Sequence, residues 1–524
     1  MPSVRRTMKR FVICLSFCFI AGTGFGSVLP LSQTEKEKRE TVLDRVTHID
    51  KDLHLEVPNV PRLCDELNLK KQRINVGDCE LYVEEEGKGV PIVLLHGGPG
   101  ATHHYFHPYF SRAKDFARVI YYDQRGCGIS GYCPGKGYTI GQAADDLENL
   151  RKALKIDKWV VVGHSYGGLL AQYYSLKYPE SLAGLVLVGA SDGMHVPMKP
   201  TRQYDFFSDE EKTRRKQIRT ELGNLLKEKR LSQEKFIELL VYNNFLNGDW
   251  KRQSYYKPTQ ERFAQIALYE WKQDTNFNGI MSGDADKIDL QGAFEGFPIP
   301  TMIMEGKWDL TWNTDKPEIL HKNHPGSRLV MFEYSSHSPF EDEPDVFFPA
   351  LRDFVKSLPQ ISEAQVSGWK QNLAEWKIKQ EASLSYVLRS SGYGRKSNEK
   401  IASLYSPEWL EKLQSPDELM KTGFALYDVA KYGDALAVFK KMQELLQTGQ
   451  EDKFSSGIAL IWQGFMLDLL ARRNEAISVY KKVVDLKLND RVSQEQFGLT
   501  YAPSPYAADK IREPFKRVEN KQKD

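Results

Sequence analysis

A single serine lies between glycines in the segment Gly163-His164-Ser165-Tyr166-Gly167. The apolar run WVVV precedes this segment and the pattern LLAQYYSLK follows it, which predicts a sharp turn from a buried strand into a helix. A serine hydroxyl is a weak nucleophile until a base removes its proton and the backbone presents it to the substrate. Flanking glycines permit the tight turn that presents the hydroxyl. Ser165 is therefore the predicted catalytic nucleophile.

Two later segments supply the partners that such a serine needs. After a serine turn of this type, the acid and then the histidine follow along the chain. Asp309 comes just after the strand-like run PTMIME, and His337 comes after RLVMFEY. His337 would accept the serine proton, and Asp309 would orient its imidazole and stabilise the protonated form. Glu305 and Asp315 are rival acids, but Asp309 is preferred because it follows its strand directly, where a loop can reach the histidine.

The third requirement is stabilisation of the oxyanion that forms when the serine attacks. Backbone N–H groups in a dry site serve this purpose, and each contributes on the order of 3 kcal/mol. Tyr166, next to the nucleophile, is one predicted donor. Gly98 is the other, because it lies in the glycine-rich segment His96–Gly100 after the strand-like run PIVLLH, where the backbone can approach a substrate closely.

Six other histidines are interpreted as plain loop or surface residues, and no cofactor is expected. They are His103, His104, His107, His195, His321 and His324. A metal site at the cluster His103, His104 and His107 is not expected, because no acidic residue or cysteine lies beside it in the sequence. The spacing of the cysteines does not resemble a zinc site either.

Alternating strands and helices must position these residues. Strand-like runs from about residue 79 onward are separated by helical patterns, and several are continuously apolar, which is typical of strands buried on both faces of a parallel sheet. The seven runs are CELYVEE, PIVLLH, ARVIYYD, WVVVGH, GLVLVGA, PTMIME and RLVMFEY. The sequence therefore predicts a three-layer α/β domain over residues 75–358. A highly charged helical insertion at about 195–297 is predicted to form a cap over its ligand-binding edge.

Three sequence segments resemble those of a known family. The segments HGGPG (96–100), DQRGCG (123–128) and GHSYGG (163–168) resemble the proline iminopeptidase (prolyl aminopeptidase) branch of the α/β-hydrolases. The resemblance implies an α/β-hydrolase fold and release of N-terminal proline, or another small apolar residue, from peptides. It also implies that glutamates of the cap bind the free amine of the substrate. Glu270, in the segment ALYEW, matches the family's aromatic–glutamate segment, and a surface helix position is the alternative interpretation.

Two departures loosen the prediction of proline as the substrate residue. Tyr166 stands where the family usually has tryptophan, and Ile129 stands where it has a basic residue. Two alternatives therefore stay open: an esterase or lactonase-type acyl hydrolase with the same triad, and a protein-binding scaffold with a vestigial hydrolase domain. Dehalogenase and epoxide hydrolase activities are excluded, because they need a carboxylate where Ser165 stands.

The last third of the sequence contains an internal repeat. Alignment of Ala435 with Ala476 and of Phe439 with Tyr480 gives a period of 41 residues. Residues 401–500 thus resemble tetratricopeptide repeats with an insertion, and an ordinary helical bundle is the alternative. Such repeats suggest a protein partner. A connector (359–400) with a helical stretch at 362–388 is expected to add a further layer to the repeats, and 501–524 is expected to be an irregular tail.

The N-terminus predicts export. A basic stretch, the apolar run FVICLSFCFIAG and small residues form a secretory signal over residues 1–26, with an uncleaved anchor as the alternative. The mature chain is expected to be secreted or periplasmic without a membrane span. Residues 27–74 are expected to be a helical extension packed on the following domain. A formal net charge of +2 gives no indication of nucleic-acid binding.

Four cysteines would remain after removal of that signal. They are Cys64, Cys79, Cys127 and Cys133. In an oxidising compartment, Cys64–Cys79 and Cys127–Cys133 are possible disulfides, and free buried thiols are the alternative. The sequence does not decide between these two arrangements.

Overall fold

The computed structural model describes most of the chain between residues 49 and 517. The described ranges are 49–133, 136–190, 207–274, 276–285, 290–309, 316–381, 395–413, 415–448, 453–489, 492–494 and 499–517, with residues 288 and 311. The predicted signal segment and the first part of the predicted extension lie outside these ranges.

An eight-stranded sheet forms the centre of the first domain. Its strands are β1 (Lys70–Asn75), β2 (Glu80–Gly87), β3 (Val90–Leu95), β4 (Ala117–Tyr122), β5 (Trp159–His164), β6 (Leu182–Val188), β7 (Thr301–Gly306) and β8 (Arg328–Phe332). Their order across the sheet is β1-β2-β4-β3-β5-β6-β7-β8. Strands β3 to β8 are parallel, whereas β1 and β2 are antiparallel strands at one edge. All seven predicted strands are present, and the predicted α/β class is confirmed.

Helices cover both faces of this sheet. They are α1 (Ile140–Ala153), α2 (Tyr166–Lys177), α7 (Lys316–Asn323), α8 (Pro339–Asp342) and α9 (Pro344–Lys356). Every residue of β5 is buried, because its alternate side chains enter two different cores. Val161 packs in the core that contains Leu170 of α2, and Val160 packs in the core that contains Phe354 of α9. This two-sided burial explains why the strand is continuously apolar.

The sheet begins earlier than predicted. Strand β1 lies within the segment that was expected to be a helical extension, and the described part of that segment contains only one short 3₁₀ helix, Leu63–Asp65. The strand KKQRIN is polar and half-exposed, so it lacks the apolar pattern that would predict a strand. It is held by pairing with β2, including the Lys70–Glu85 ion pair at 3.0 Å.

The insertion between β6 and β7 is helical. Its elements are α3 (Asp209–Lys227), α4 (Gln233–Leu246), the 3₁₀ helix Asp249–Arg252, α5 (Gln260–Gln265), the π-helix Ile266–Glu270 and α6 (Phe277–Ala285). The described end of the N-terminal extension lies against this cap. Asp50 N–H donates to Asn247 Oδ1 at 2.9 Å, and His54 N–H donates to Asn243 Oδ1 at 3.0 Å.

The connector helix α10 (Glu363–Glu381) packs on the α/β domain. Val366, Trp369 and Leu373 belong to the same core as the helices on one face of the sheet. The ring of Trp369 lies 4.8 Å from that of Phe297. Docking of the stretch 362–388 on the repeats stays a prediction, and its residues 382–388 lie outside the described part of the chain.

The C-terminal region forms a helical core of its own. Its helices are α11 (Arg395–Leu404), α12 (Pro407–Lys412), α13 (Pro416–Asp428), α14 (Tyr432–Thr448), α15 (Lys453–Leu469), α16 (Arg473–Asp485) and α17 (Pro503–Arg512), with a small hairpin of β9 (Val492–Gln494) and β10 (Leu499–Tyr501). Two close contacts recur at the predicted period of 41 residues. A Cβ atom on Gly423 would lie 2.5 Å from the ring of Phe439, and one on Gly464 would lie 2.2 Å from the ring of Tyr480.

The tail is not irregular as expected, because it contains helix α17. The prolines at 503 and 505 both lie in the first turn of this helix, where no backbone N–H is needed. Ser504 Oγ donates to the Val483 carbonyl at 2.7 Å, and Phe515 stacks on Phe465 with ring centroids 4.0 Å apart. The tail is thus held by contacts with distant residues.

All four described cysteines are thiols, so neither predicted disulfide is present. Cys64, Cys79 and Cys127 are buried. Cys79 lies beside Cys133 instead of its predicted partner, and burial raises the pKa of the Cys79 thiol to about 12. The structure therefore agrees with the alternative of free thiols.

Candidate active site

Ser165 lies at the turn between β5 and α2, with φ 56° and ψ −126°. A positive φ is uncommon outside glycine and costs about 1–3 kcal/mol. The flanking glycines make this turn possible. A Cβ atom on Gly163 would lie 2.3 Å from the Gly167 carbonyl oxygen, and one on Gly167 would lie 2.1 Å from the Leu95 carbonyl oxygen. Neither glycine position can hold a side chain, so the turn is tight and the serine is fixed at the carboxyl edge of the sheet.

Asp309 and His337 meet at the same edge of the sheet. Asp309 follows β7 and His337 comes after β8, and His337 Nδ1 lies 2.7 Å from Asp309 Oδ2. The N–H of Thr311 donates to the other Asp309 oxygen at 2.8 Å. Burial opposes ionisation of Asp309, but the neighbouring His337 outweighs burial and lowers the pKa of this carboxyl. An ionised Asp309 accepts a hydrogen bond from the Nδ1–H of His337, which leaves Nε2 able to act as a base.

The rival acid Glu305 has a different environment. It lies within β7, fully buried, and its Oε1 accepts the N–H of Ala190 at 3.0 Å. Burial raises the pKa of Glu305 to about 8, so this carboxyl is mostly neutral at pH 7. A neutral acid cannot stabilise an imidazolium. The other rival, Asp315, lies outside the described residues.

The glycine-rich loop after β3 lies directly against the serine. A Cβ atom on Gly97 would lie 2.8 Å from Ser165 Cβ and 3.3 Å from its Oγ. Gly98 has φ 114°, a region that favours glycine. The N–H of Gly97 donates to the hydroxyl of Tyr105 at 2.8 Å, which leaves Gly98 as the candidate oxyanion donor of this loop. Tyr166 is the first residue of α2, where a backbone N–H has no acceptor within the helix.

Two positioning residues were missed by the sequence analysis, Tyr105 and His164. His164 Nε2 lies 3.0 Å from the His337 carbonyl oxygen and therefore donates to it, so its Nδ1 accepts from the Tyr105 hydroxyl at 2.8 Å. Burial lowers the pKa of His164 well below its ordinary value, which keeps this imidazole neutral. A chain of hydrogen bonds thus joins the loop at Gly97 to the backbone of His337. No sequence signal marks it, because it depends on a contact between residues 59 positions apart.

A cavity of about 170 Å³ brings the site residues together. Ser165, His337 and Gly98 line it together with residues of the cap. The residues from the cap and from α8 that line it are Asp249, Arg252, Gln253, Arg262, Glu270, Trp271 and Glu341. The predicted nucleophile, base and cap glutamate therefore line one cavity.

Glu270 is buried at the end of the π-helix, so its interpretation as a surface residue is wrong. Its carboxylate forms an ion pair with Arg262. Arg262 Nε also lies 3.8 Å from Oε1 of Glu341, a second carboxylate of the cavity. Burial raises the pKa of Glu270, against the opposing effect of Arg262. When all three groups are ionised, this end of the cavity carries one excess negative charge.

The interpretation of the other histidines as loop or surface residues is wrong for most of them. His103, His104, His107 and His324 are buried, whereas His321 is partly exposed and His195 lies outside the described residues. Acidic and cysteine neighbours of the first cluster come from other parts of the chain. They are Cys64, Glu84 and Asp123.

Comparisons with known proteins give the class of the protein. Residues 90–344 match the family model of the alpha/beta hydrolase fold. The proline iminopeptidase of Saccharolobus solfataricus is 33% identical over 281 residues, which cover 53% of this chain and 88% of that protein. The proline iminopeptidase of Neisseria meningitidis serogroup A is 29% identical over 308 residues, 53% of this chain and 94% of that protein. Among solved structures, an esterase from Exiguobacterium antarcticum matches with 26% identity and a TM-score of 0.41, covering 53% of this chain and 96% of that one.

The strand order and the matched family model define an α/β-hydrolase fold with a helical cap. Within that class, the chain belongs to the proline iminopeptidase branch of the α/β-hydrolase family. It is accordingly a hydrolase, and the predicted family resemblance is confirmed. About half of the chain lies outside the part that these relatives match, and the matched family model ends before the connector helix α10.

Proposed function

We propose that this hydrolase is an exported serine aminopeptidase that releases N-terminal proline or another small apolar residue from peptides. In this mechanism Ser165 attacks the carbonyl carbon of the scissile bond while His337 Nε2 takes the hydroxyl proton. Asp309 stabilises the resulting imidazolium, and the N–H groups of Gly98 and Tyr166 stabilise the oxyanion. His337 then donates the proton to the leaving amine, and water hydrolyses the acyl-enzyme.

The observation that carries this proposal is the composition of the cavity wall. Ser165 shares one cavity with the cluster of Glu270, Arg262 and Glu341. A protonated amine of the substrate would neutralise the excess negative charge of that cluster, and buried charges are costly unless paired. The volume of about 170 Å³ is below the roughly 300–1,000 Å³ of pockets for drug-sized ligands, which favours a small residue.

A second candidate function is ester hydrolysis with the same triad. It is favoured by the Arg262–Glu270 ion pair, because Arg262 already neutralises the Glu270 carboxylate that is predicted to bind the substrate amine. In that case the positive charge of the guanidinium would partly compensate the negative charges of the two carboxylates, and the substrate would need no free amine.

One panel of substrates distinguishes these functions. Purified protein is assayed with prolyl-arylamide, alanyl-arylamide, N-blocked prolyl-arylamide and short-chain esters. We expect cleavage of the unblocked aminoacyl-arylamides and loss of cleavage when the amine is blocked. Equal rates on blocked and unblocked compounds would refute amine recognition and favour the esterase. No cleavage of any compound would refute both and favour the scaffold alternative.

Export is proposed from the basic and apolar segments at residues 1–26. Among the described helices, none combines the length and the apolar character that crossing a membrane requires. The test is the N-terminal sequence of the protein recovered from its native cells. We expect a processed chain beginning near residue 27 in the periplasm or the medium, and an unprocessed chain in the cytosol would refute export. A protein partner of the C-terminal helices stays a prediction.

A further inference from the structure

A second cluster of polar side chains contains none of the residues that line the cavity. Cys64, Glu84, His103 and His107 each offer one donor atom, and these four atoms lie within 4.8 Å of one another. All four residues are at most 1% exposed. Cys64 comes from the 3₁₀ turn before β1, Glu84 from β2, and both histidines from the segment after the loop 96–100. Three separate parts of the chain thus converge in one buried place.

The distances within the cluster suit a tetrahedral ion. Glu84 Oε2 lies 3.4 Å from His103 Nε2 and 2.9 Å from His107 Nε2. A tetrahedral zinc ion with bonds of roughly 2.0–2.2 Å holds its nitrogen and oxygen ligands roughly 3.3–3.6 Å apart. Small movements of the side chains would therefore bring the two imidazoles and the carboxylate into coordination.

Further hydrogen bonds orient these donors. His103 Nδ1 lies 2.7 Å from Asp123 Oδ1, which directs Nε2 of the same ring towards Glu84. The Tyr82 hydroxyl donates to Glu84 Oε1 at 2.6 Å and leaves Oε2 facing the histidines. A carboxylate on the far nitrogen of a metal-binding histidine is the usual arrangement around protein metal ions.

The charges and donor types favour zinc. One thiolate, one carboxylate and two neutral imidazoles together neutralise a divalent cation, so a buried ion would leave no net charge among them. Cysteine and histidine are the preferred ligands of Zn²⁺, and four protein ligands without an open position are typical of structural sites.

We propose that Cys64, Glu84, His103 and His107 bind a structural Zn²⁺ ion. On binding, Cys64 releases its thiol proton to the solvent, and any proton held between Glu84 and the imidazoles leaves with it. The ion would fasten the N-terminal segment to the turn that directly follows the loop 96–100.

Without a metal, the same cluster would be held by a charged histidine. Burial opposes the charge, but the Asp123 carboxylate raises the pKa of His103 well above its ordinary value, and the imidazolium would bridge Asp123 and Glu84. In that arrangement Cys64 serves only as a side-chain hydrogen-bond partner of His103, a role that a serine can take over. A substitution of Cys64 therefore separates the two arrangements.

The test uses the full chain, purified without chelators and without a metal-affinity column. Elemental analysis is expected to find one zinc ion per chain. After exchange with Co²⁺, a thiolate-to-cobalt charge-transfer band and intense tetrahedral visible bands are expected. Cys64→Ser should lose the charge-transfer band and weaken metal binding at least about tenfold. Cys133→Ser and His321→Gln, which alter a cysteine and a histidine outside the cluster, should keep one ion and the full spectrum.

A second measurement does not depend on any variant. Added Zn²⁺ should raise the melting temperature of the metal-depleted wild-type chain, because a ligand that binds the folded state stabilises it. A wild-type chain that contains no metal, shows no cobalt band and melts at the same temperature with and without Zn²⁺ would overturn the proposal. Zinc retained in full by Cys64→Ser would overturn the assigned ligand set.

Discussion

The imidazole of His337 and the carboxylate of Asp309 meet at the ends of the adjacent strands β7 and β8, with Nδ1 and Oδ2 2.7 Å apart. These residues are 28 positions apart in the chain. Because parallel neighbouring strands end at the same edge of a sheet, the fold brings the two side chains together beside the serine turn after β5. This relationship makes the role of each acid testable.

Asp309→Asn should lower kcat by on the order of 10⁴-fold with little change in KM. The amide NH2 would donate to Nδ1 of His337 and hold the imidazole in the tautomer whose Nε2 carries the proton and cannot act as a base. Steady-state kinetics on the best arylamide measures this effect. Glu305→Gln is the matched control, since it changes the other buried acid of the same strand, and it should stay within a few-fold of wild type. The opposite ranking of the two variants would assign the acid to Glu305.

Glu305→Gln should also change how stability depends on pH. Since the folded-state pKa of Glu305 is raised to about 8 from 4.5, its proton stabilises the fold fully below pH 4.5, and this contribution is lost as the pH rises towards 8. Glutamine can still accept the N–H of Ala190 and has no proton to lose. Denaturant unfolding at pH 5 and at pH 8 measures the free energy of unfolding. The decrease in this free energy between the two pH values should be smaller for the variant, by on the order of a few kcal/mol. Equal losses in the two proteins would contradict the raised pKa.

Glu341→Gln should raise KM for unblocked aminoacyl-arylamides about ten- to a hundredfold, because a hydrogen bond to a charged group contributes roughly 1.5–3 kcal/mol. Activity on short esters should change little. Glu333→Gln is the control, since Glu333 is exposed and pairs with Lys307. A Glu341→Gln variant with unchanged KM for the free amines would show that this carboxylate does not bind the substrate amine.

Gly464→Ala should destabilise the C-terminal helical core by about 1–3 kcal/mol, because the new Cβ would overlap the buried ring of Tyr480. Gly433→Ala is the control, since a Cβ there meets open space. Calorimetry would measure the decrease in melting temperature. Arylamide cleavage at low temperature should be unchanged, because the helices have a core of their own. Loss of cleavage at a temperature where the chain stays folded would make the helices part of the catalytic unit.

Much of the fold could be predicted because its signals are local. The buried strands are marked by continuous apolar runs. The helical repeat is marked by the alignment of Phe439 with Tyr480, and the matching glycine contacts recur in the structure at the same spacing. The strand β1 and the helix α17 were missed for an opposite reason. Each is polar or proline-rich in sequence and is formed by pairing with distant residues.

The part of the site that could be predicted consists of residues that follow the ends of strands. Ser165, Asp309 and His337 come directly after predicted strands, and parallel strands end together. The ion pair of Arg262 with Glu270 and the convergence of Cys64 on His103 could not be predicted in this way. They depend on how the cap and the N-terminal segment fold over the sheet, which no short sequence pattern records.

The most direct test of the proposed chemistry is the site of covalent labelling by a fluorophosphonate, read by mass spectrometry of the intact protein and its peptides. We expect one label per chain, on Ser165, with loss of arylamide cleavage in proportion to labelling and no label on Ser165→Ala. A label on another residue, or undiminished cleavage by Ser165→Ala, would contradict the proposed chemistry.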